Sequence, residues 1–361
     1  MKVVLMHDWL TGFRGGERVL EAFCEMFPDA PIYTLIHQKG SVPASIEDRE
    51  IKTSFLNNIP GVEKHYRKFL PLFPLAARSL KITEKADLVL SSSHCVIKGV
   101  VKPVGSKHIS YIHSPMRYLY DQYDNYFGAD SPWYQRLGMK VFRNYLTEWD
   151  ISSNQNVDVA IANSKFVQQR IEKYYKQKSL VINPFVDLMD FNDVPLERER
   201  SFYLMVTAFA PNKKVDLAIE AFNQNGKRLK IIGSGQRERD LKAIAKPNIE
   251  FLGNLDREGV IDHFSRAKAF VFPGVEDFGI TPLESLACGT PVIAYKIGGV
   301  LETLNENVAE YFEEASCEAL IKAIERFERS SFDKSILVER AQSFSKEKFI
   351  KEIQQVINET L

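Results

Sequence analysis

Two glutamates, Glu276 and Glu284, flank a loop that leads into a predicted helix. The apolar run 267–273 predicts a buried strand before this loop, and Pro282 suits the first turn of the helix that follows it. The loop is therefore expected at the carboxyl end of a strand, the edge at which open α/β sheets bind ligands, where free N–H groups of the helix would attract an anion. Glu276 could then hold the hydroxyls of a sugar, and Glu284 both hydroxyls of a ribose.

A phosphate beside two carboxylates needs a compensating cation, because the carboxylates repel it. Lys213 and Lys214, between a predicted strand and a predicted helix, could supply the positive charge. Each feature also has an ordinary structural interpretation. A strand-to-helix loop rich in Glu, Asp, Gly and Pro is commonly a plain connection, and adjacent lysines are commonly solvated.

Two more candidate positions lie in the first half of the chain. Gly15 and Gly16 follow the first predicted strand and open a helix, so ligand atoms could approach the backbone beside a positive helix end, although the pair could also be a simple turn. His113 follows the predicted strand 108–112, a ligand-binding position in α/β sheets. A single histidine is nonetheless more often structural than catalytic.

The composition is that of a globular protein, and 361 residues predict two domains. The N-terminus reads as a first strand rather than a signal peptide, no apolar window is long enough for a membrane span, and the four cysteines are too scattered for a disulfide framework or a zinc site. We therefore expect a cytoplasmic protein. Its basic first half predicts an anionic surface or acceptor as a partner, with a solvated basic face as the alternative.

Strand-like and helix-like runs alternate throughout, which predicts parallel sheets covered by helices. The predicted organisation is an N-terminal Rossmann-like domain over 1–185, a C-terminal Rossmann-like domain over 186–342 and a terminal helical segment over 343–361. The charge-rich segment 190–201, which contains Pro195, is the predicted linker. Residues 65–78 mix basic and apolar side chains and could lie on a membrane interface, although their prolines favour a loop that packs on the core.

Several segments resemble one enzyme family. The spacing of Glu276 and Glu284, with Gly-Ile-Thr-Pro between them, resembles the E-x7-E motif of family 4 retaining glycosyltransferases. Residues 111–121, YIHSPMRYLYD, are similar to a segment of bacterial mannosyltransferases of polysaccharide and O-antigen assembly. The resemblance covers nearly the whole chain. It implies an α/β protein of the GT-B fold, with two Rossmann-like domains facing across a cleft and the C-terminal helix packing back on the N-terminal domain.

The resemblance also implies roles for individual residues. His113, Lys213 and Glu276 would be catalytic, with His113 at the outer hydroxyl of the donor sugar, and no metal site is implied. The residues implied in donor binding are Gly15, Gly16, Lys214, Gly233, Gly235, Asp277, Phe278, Gly279, Ile280, Thr281 and Glu284. Those implied near the acceptor are Arg14, Arg117, Tyr118 and Asp121. The phosphate-binding arginine of the family is replaced here by Ala208, so either Lys214 or Arg14 would have to compensate.

The implied reaction moves a hexose from a nucleotide diphosphate to an acceptor hydroxyl with its anomeric configuration kept. GDP-mannose is the favoured donor and a UDP-sugar the alternative. The resemblance implies no cofactor and no required metal. The acceptor is expected to be a lipid-linked glycan at the inner face of the cytoplasmic membrane, reached through the N-terminal domain, with no nucleic acid involved.

Three other classes of protein were weighed. A non-catalytic nucleotide-sugar-binding protein of the same fold is the alternative that Ala208 leaves open. A solute-binding protein would normally carry an export signal. A Rossmann dehydrogenase would need the G-x-G-x-x-G pattern, which the first strand-to-helix turn lacks.

Overall fold

The computed structural model describes residues 1–128, 131–191, 194 and 199–361. The chain divides into two compact units, an N-terminal unit of residues 1–183 with 349–361 and a C-terminal unit of residues 184–348. The division falls ahead of the predicted linker 190–201, of which residues 192–193 and 195–198, including Pro195, lie outside the described residues.

A seven-stranded parallel sheet with the order β3-β2-β1-β4-β5-β6-β7 forms the centre of the N-terminal unit. Its strands are β1 (Val3–Leu10), β2 (Ile32–His37), β3 (Ile51–Thr53), β4 (Leu88–Ser93), β5 (Lys107–Ile112), β6 (Val159–Ala162) and β7 (Leu180–Val181). Its helices are α1 (Gly15–Met26), α2 (Ala44–Glu47), α3 (Val62–His65), α4 (Phe73–Ser79), α5 (Tyr123–Phe127), α6 (Trp133–Ser153) and α7 (Lys165–Tyr175).

A six-stranded parallel sheet with the order β10-β9-β8-β11-β12-β13 forms the centre of the C-terminal unit. Its strands are β8 (Phe202–Val206), β9 (Leu229–Ile232), β10 (Ile249–Gly253), β11 (Ala267–Phe272), β12 (Val292–Tyr295) and β13 (Ala309–Phe312). Its helices are α8 (Val215–Asn225), α9 (Glu238–Ile244), α10 (Arg257–Arg266), α11 (Ile280–Ala287), α12 (Val300–Thr303), α13 (Cys317–Arg329) and α14 (Lys334–Gln342).

Both sheets are covered on both faces, as parallel sheets require. The central strands are accordingly almost continuous buried runs, and every residue of β4 is buried. The last helix, α15 (Lys346–Thr360), contributes to the first core: the Phe349 ring stacks on Phe23 at 6.1 Å and meets the edge of Tyr111 at 5.6 Å. The α/β class and the packing of the C-terminal helix on the N-terminal domain are thus confirmed.

The predicted membrane-interface candidate, residues 65–78, folds as a 3-10 helix over Tyr66–Leu72 followed by α4. Pro71 lies inside the first and Pro74 in the first turn of the second. Phe73, Ala76 and Ala77 are buried in the core of the N-terminal unit. Part of the apolar surface of this segment is therefore used in folding, whereas Leu72 and Leu75 remain exposed.

A buried histidine on β5 predicts an acid-sensitive fold. Burial lowers the pKa of His108 to about 4, and its ring nitrogens lie 2.9 Å from Ser91 Oγ and 3.1 Å from the Asn156 carbonyl oxygen. Between pH 6.5 and pH 4 the unfolded chain binds a proton at this histidine that the folded protein does not. The free energy of unfolding therefore decreases by about 1.4 kcal/mol for each unit by which the pH is lowered through that window. Below pH 4 both states bind the proton, and this group causes no further loss of stability.

Urea unfolding at pH 7, 6 and 5 tests this expectation. His108→Gln should show a shallower loss of unfolding free energy on acidification than the wild type, even if the variant is less stable at pH 7. His65→Gln, on the exposed surface, is the matched control and should keep the wild-type slope. Equal slopes in His108→Gln and the wild type would show that His108 is not the group responsible.

Candidate active site

In the C-terminal unit, Lys213 and Glu276 meet at the edge where β8 and β11 end. Lys213 closes the turn after β8, Glu276 lies in the loop after β11, and their side chains form an ion pair between Nζ and Oε1. Both side chains are 20% exposed, so the pair is open to a ligand. The backbone holds the two segments together, because Val275 N–H donates to the Asn212 carbonyl at 3.3 Å. The cation that the sequence placed near Glu276 is therefore beside it.

Glu284 lies in the second turn of α11 and is held by an arginine that the sequence analysis did not identify. Arg257, the first residue of α10, donates from Nη1 to Glu284 Oε1 at 2.7 Å and from Nε to Asp190 Oδ2 at 2.9 Å. Burial alone would lower the pKa of Arg257, but the carboxylates of Glu284 and Asp190 outweigh it and raise the pKa. Its Nη2 is buried and has no hydrogen-bond partner among the described residues. This site therefore contains a second cation, with one donor still available.

The remaining predicted donor residues gather at the same edge of the same sheet, except for Gly15 and Gly16, which begin α1 in the N-terminal unit. Asp277, Phe278 and Gly279 form a buried stretch of the loop before α11, with Gly279 at φ 93°, and Ile280 and Thr281 begin the helix half-buried. Lys214, next to Lys213, is exposed and adopts a left-handed conformation at φ 51°. Ala208 is exposed in the turn after β8.

Gly233 and Gly235 follow β9, which neighbours β8. At Gly233, φ is 135° and a β-carbon would lie 1.9 Å from the Thr207 carbonyl oxygen, so only glycine fits. The two turns are joined by a hydrogen bond of 2.9 Å from Phe209 N–H to the Ser234 carbonyl. The turns after β8, β9 and β11 thus form one surface, as expected for adjacent parallel strands.

Gly299 packs against the backbone of the glutamate loop, and this contact predicts the effect of adding a side chain there. Its N–H donates to the Glu276 carbonyl at 2.9 Å, and a β-carbon there would lie 2.3 Å from both the Asp277 carbonyl oxygen and the Phe278 Cα. Because these are backbone atoms, Gly299→Ala should displace the loop, cost about 1–3 kcal/mol of unfolding free energy and weaken nucleotide binding about tenfold.

Urea unfolding and calorimetric titration with nucleotide would measure the two effects. Gly138→Ala is the matched control, because a β-carbon at Gly138 on α6 would meet no atom within 4 Å. Wild-type affinity in Gly299→Ala would show that the position of the loop does not depend on this contact.

In the N-terminal unit, polar side chains converge where β1, β4 and β5 end. Ser92 Oγ lies 2.8 Å from His113 Nε2, 3.2 Å from His7 Nδ1 and 3.2 Å from the Gly16 carbonyl oxygen. The structure thus brings Gly16 and His113 together. It adds His7 and Ser92, which the sequence analysis missed although both lie near the ends of strands.

The buried carboxylates Asp8 and Glu17 fix this arrangement. Asp8 accepts four backbone N–H groups, from residues 94 to 97, at 2.7–2.9 Å, whereas Glu17 accepts the Arg14 N–H at 3.0 Å and lies 3.7 Å from His7 Nε2. Burial raises the pKa of Glu17, but the neighbouring His7 outweighs it and lowers the pKa to about 2. Glu17 is therefore an ionised anchor for the start of α1.

His113 offers an uncharged ring. Burial, followed by the neighbouring His94 and His7, lowers its pKa to about 3. The ring is neutral at pH 7 and can orient a hydroxyl by a hydrogen bond without carrying a charge.

The predicted acceptor residues have structural partners of their own. Tyr118 Oη lies 2.9 Å from Cys95 Sγ. Asp121 accepts from Arg170 Nη2 at 2.6 Å, and Arg170 Nη1 donates to Ser114 Oγ at 2.7 Å. Arg170, on α7, therefore fixes the segment 114–121, and neither the sequence pattern nor the resemblance indicated it. Arg117 is half-buried, and Arg14 is exposed at the start of α1.

Comparison with known proteins identifies the C-terminal unit. Residues 189–348 match the family described as glycosyl transferases group 1. These residues form a group 1 glycosyltransferase domain. An uncharacterized glycosyltransferase of Methanocaldococcus jannaschii is 26% identical over 270 residues, which are 72% of this chain and 70% of that protein.

A second relative has a more specific name. The GDP-mannose-dependent monoacylated alpha-(1-6)-phosphatidylinositol monomannoside mannosyltransferase of Corynebacterium glutamicum is 36% identical over 110 residues. The alignment spans 26% of this chain and 29% of that protein. The resemblance to mannosyltransferases is thus confirmed.

The fold of the whole chain has solved counterparts. Sucrose-phosphate synthase of Thermosynechococcus elongatus superposes with a TM-score of 0.73 at 18% identity, covering 99% of each chain. The GT-B fold is therefore confirmed over both units.

Proposed function

We propose that this glycosyltransferase moves a hexose from a nucleotide diphosphate to a hydroxyl of a glycan acceptor and keeps the anomeric configuration. The observation that carries the proposal is the pairing of Lys213 with Glu276 and the position of Glu284 in α11, all within the group 1 domain.

Each of these groups has a defined task in the proposed reaction. Lys213 and the N–H groups at the start of α11 would stabilise the charge that develops on the departing diphosphate, the kind of electrostatic stabilisation that dominates many enzymatic reactions. Glu276 would orient the hydroxyls of the transferred sugar, and Glu284 the hydroxyls of the ribose. The phosphate of the donor would accept the proton of the acceptor hydroxyl, so the proposed mechanism uses no side-chain base and no metal.

Arg257 is a further cation of the donor site, although its contact with Glu284 places it beside the ribose rather than the diphosphate. Lys214 and Arg14 were the two cations expected to compensate, and both are exposed. Arg257 is partly buried, already contacts Glu284 and has a buried donor without a partner among the described residues. We therefore add Arg257 to the proposed donor site, on the ribose side.

GDP-mannose is the proposed donor. The similarity of residues 111–121 to a mannosyltransferase segment supports this choice, as does the GDP-mannose-dependent relative. We further propose a lipid-linked acceptor at the inner face of the cytoplasmic membrane, which the basic first half of the sequence supports. Within the described residues, no helix has the length and apolar character to cross a bilayer.

A transfer assay tests the proposal. The protein is incubated with radiolabelled GDP-mannose or UDP-glucose and a lipid extract of the source cells, with and without EDTA, and the organic phase is digested with an α-mannosidase. We expect label from GDP-mannose to enter the lipid phase, and EDTA should not change the amount transferred. The α-mannosidase should release this label, because the mannose of GDP-mannose is α-linked and a retaining transfer keeps that configuration. Label from UDP-glucose alone would refute the donor, and resistance to α-mannosidase would refute retention.

A further inference from the structure

Helix α6 of the N-terminal unit exposes an apolar stripe. Apart from two adjacent aromatic residues at its start, its members recur every three or four residues, so they lie on one side of the helix, and each is 40–69% exposed. They are Trp133, Tyr134, Leu137, Val141 and Tyr145. From the first to the last, the stripe runs about 18 Å along the helix axis. Five large apolar side chains in a contiguous exposed stripe are unusual on a protein surface and indicate an interaction site.

The orientation of the stripe is fixed by the opposite side of the helix. Met139, Leu146 and Trp149 are buried in the core of the N-terminal unit. Near the end of the helix, Asp150 forms a buried ion pair with Lys98, at 2.5 Å. The helix cannot rotate its stripe inward without breaking these contacts, and an unpaired buried charge is strongly destabilising.

Arg143 joins α6 to the candidate acceptor segment. Its guanidinium donates from Nε and Nη2 to the Leu119 carbonyl at 3.1 and 2.9 Å and lies 3.9 Å from the centre of the Tyr123 ring. Leu119 lies between Tyr118 and Asp121, two of the predicted acceptor residues. Arg143 therefore connects α6, and with it the stripe, directly to the candidate acceptor segment.

The charges beside the first three turns of the stripe are positive, and the exposed Glu148, one turn beyond Tyr145, is the nearest acidic residue that follows them on α6. Residues 131–147 contain Arg136, Lys140 and Arg143 and no Asp or Glu. Arg136 and Lys140 are exposed and lie on one flank of the stripe, whereas Arg143 faces Leu119. An acidic partner surface complements this arrangement.

We propose that α6 lies in the plane of an anionic lipid bilayer, with its stripe in the head-group and acyl boundary. An amphipathic helix with Trp, Tyr and Leu on one side and cations beside them is suited to that boundary, where aromatic rings bury their apolar part and keep their polar atoms hydrated. The exposed Lys140 would meet anionic head groups. The exposure of the stripe and the cations along its first three turns favour a lipid surface over a protein partner, and the exposed Glu148 lies beyond the last residue of the stripe.

The consequence for function rests on the function proposed above. A bilayer under α6 would hold the segment 114–121 near the membrane surface, where a lipid-linked acceptor presents its glycan. Binding of α6 to lipid is a separate property and can be measured without donor or acceptor.

Vesicle flotation tests the inference with the full chain. Vesicles of equal parts phosphatidylglycerol and phosphatidylcholine are compared with phosphatidylcholine alone. The stripe variant carries Trp133→Ser, Leu137→Ser and Val141→Ser, and its control carries Val101→Ser, Val104→Ser and Leu180→Ser, three exposed apolar residues elsewhere in the same unit. All six substituted side chains are exposed, so both variants should fold. Thermal unfolding of the two variants checks this expectation.

We expect the wild type and the control to bind the anionic vesicles and the stripe variant to bind about 10- to 100-fold more weakly. Lys140→Glu should weaken binding about tenfold, whereas Lys322→Glu, on the exposed side of α13, should not. Added salt should weaken binding by the wild type.

Three results would overturn the inference. The first is that the wild type does not float with anionic vesicles, and the second is that the stripe variant floats as well as the wild type. The third is that sedimentation equilibrium shows a dimer of the wild type that is absent in the stripe variant, which would assign the stripe to a second copy of the chain. Calorimetric titration of the wild type with GDP-mannose, beside its vesicle flotation, separates the two proposals. Vesicle binding without nucleotide binding would leave the inference standing and refute the proposed function, and the converse would refute only the inference.

Discussion

Replacing Lys213 with alanine is expected to lower the rate of hexose transfer by about 10²–10³-fold, the usual effect of removing one preorganised group that stabilises developing charge. In the wild type the ammonium group lies against Glu276 at the edge where the diphosphate would bind. In Lys213→Ala, the Glu276 carboxylate would remain without this cation and would repel the departing diphosphate. Initial rates of GDP release from GDP-mannose in the presence of acceptor lipid measure the effect.

Lys227→Ala is the matched control for Lys213→Ala. Lys227 also forms a lysine–glutamate pair in the C-terminal unit, with Glu328 at 2.7 Å, but at a partly exposed position outside the candidate site. The control should retain the wild-type rate within about twofold, because exposed ion pairs contribute little. Equal rates for Lys213→Ala and Lys227→Ala would remove Lys213 from the mechanism.

Glu284→Ala is expected to weaken GDP binding about 100-fold. A carboxylate that accepts two ribose hydroxyls makes two hydrogen bonds to a charged group, and its loss also leaves Arg257 without one of its two carboxylate partners. The sharper readout is 2′-deoxy-GDP. The wild type should bind it more weakly than GDP, whereas Glu284→Ala should bind both nucleotides equally.

Glu310→Ala is the control for Glu284→Ala, because Glu310 pairs with Arg326 at 2.6 Å elsewhere in the same unit. It should keep both the affinity for GDP and the preference over 2′-deoxy-GDP. If Glu284→Ala still distinguishes the two nucleotides, the ribose is held by another group.

The sequence predicted the central strands and the glutamate loop well. The strand before the loop, the helix that contains Glu284 and the strand over residues 108–112 are all present, because each is a strong local pattern of apolar residues. The strands β2, β3, β7 and β13 were missed. Of these, the edge strands β3 and β7 have three and two residues, too few for any periodicity to be visible.

The candidate site was only partly predictable, because its other members are joined by tertiary contacts. Asp190 meets Arg257 across 67 positions of sequence, and Ser92 reaches His7 across 85. Which strands become neighbours decides such contacts, and the order β1-β4-β5 cannot be deduced from local patterns. The exposed stripe of α6 was missed for a related reason. An apolar side chain such as Leu137 would be assigned to the core by its type, and only the fold shows that the opposite side of the helix is the buried one.

Calorimetric titration of the wild type and Lys213→Ala with GDP, GDP-mannose, UDP and UDP-glucose, with and without Mg²⁺, tests the central claim most directly. We predict that GDP and GDP-mannose bind with dissociation constants on the order of micromolar, within the usual range for enzyme substrates, that Mg²⁺ changes neither value and that Lys213→Ala loses both. Tight binding of UDP and UDP-glucose alone would replace the proposed donor, and the absence of binding by all four nucleotides would contradict a nucleotide-sugar site at Lys213, Glu276 and Glu284.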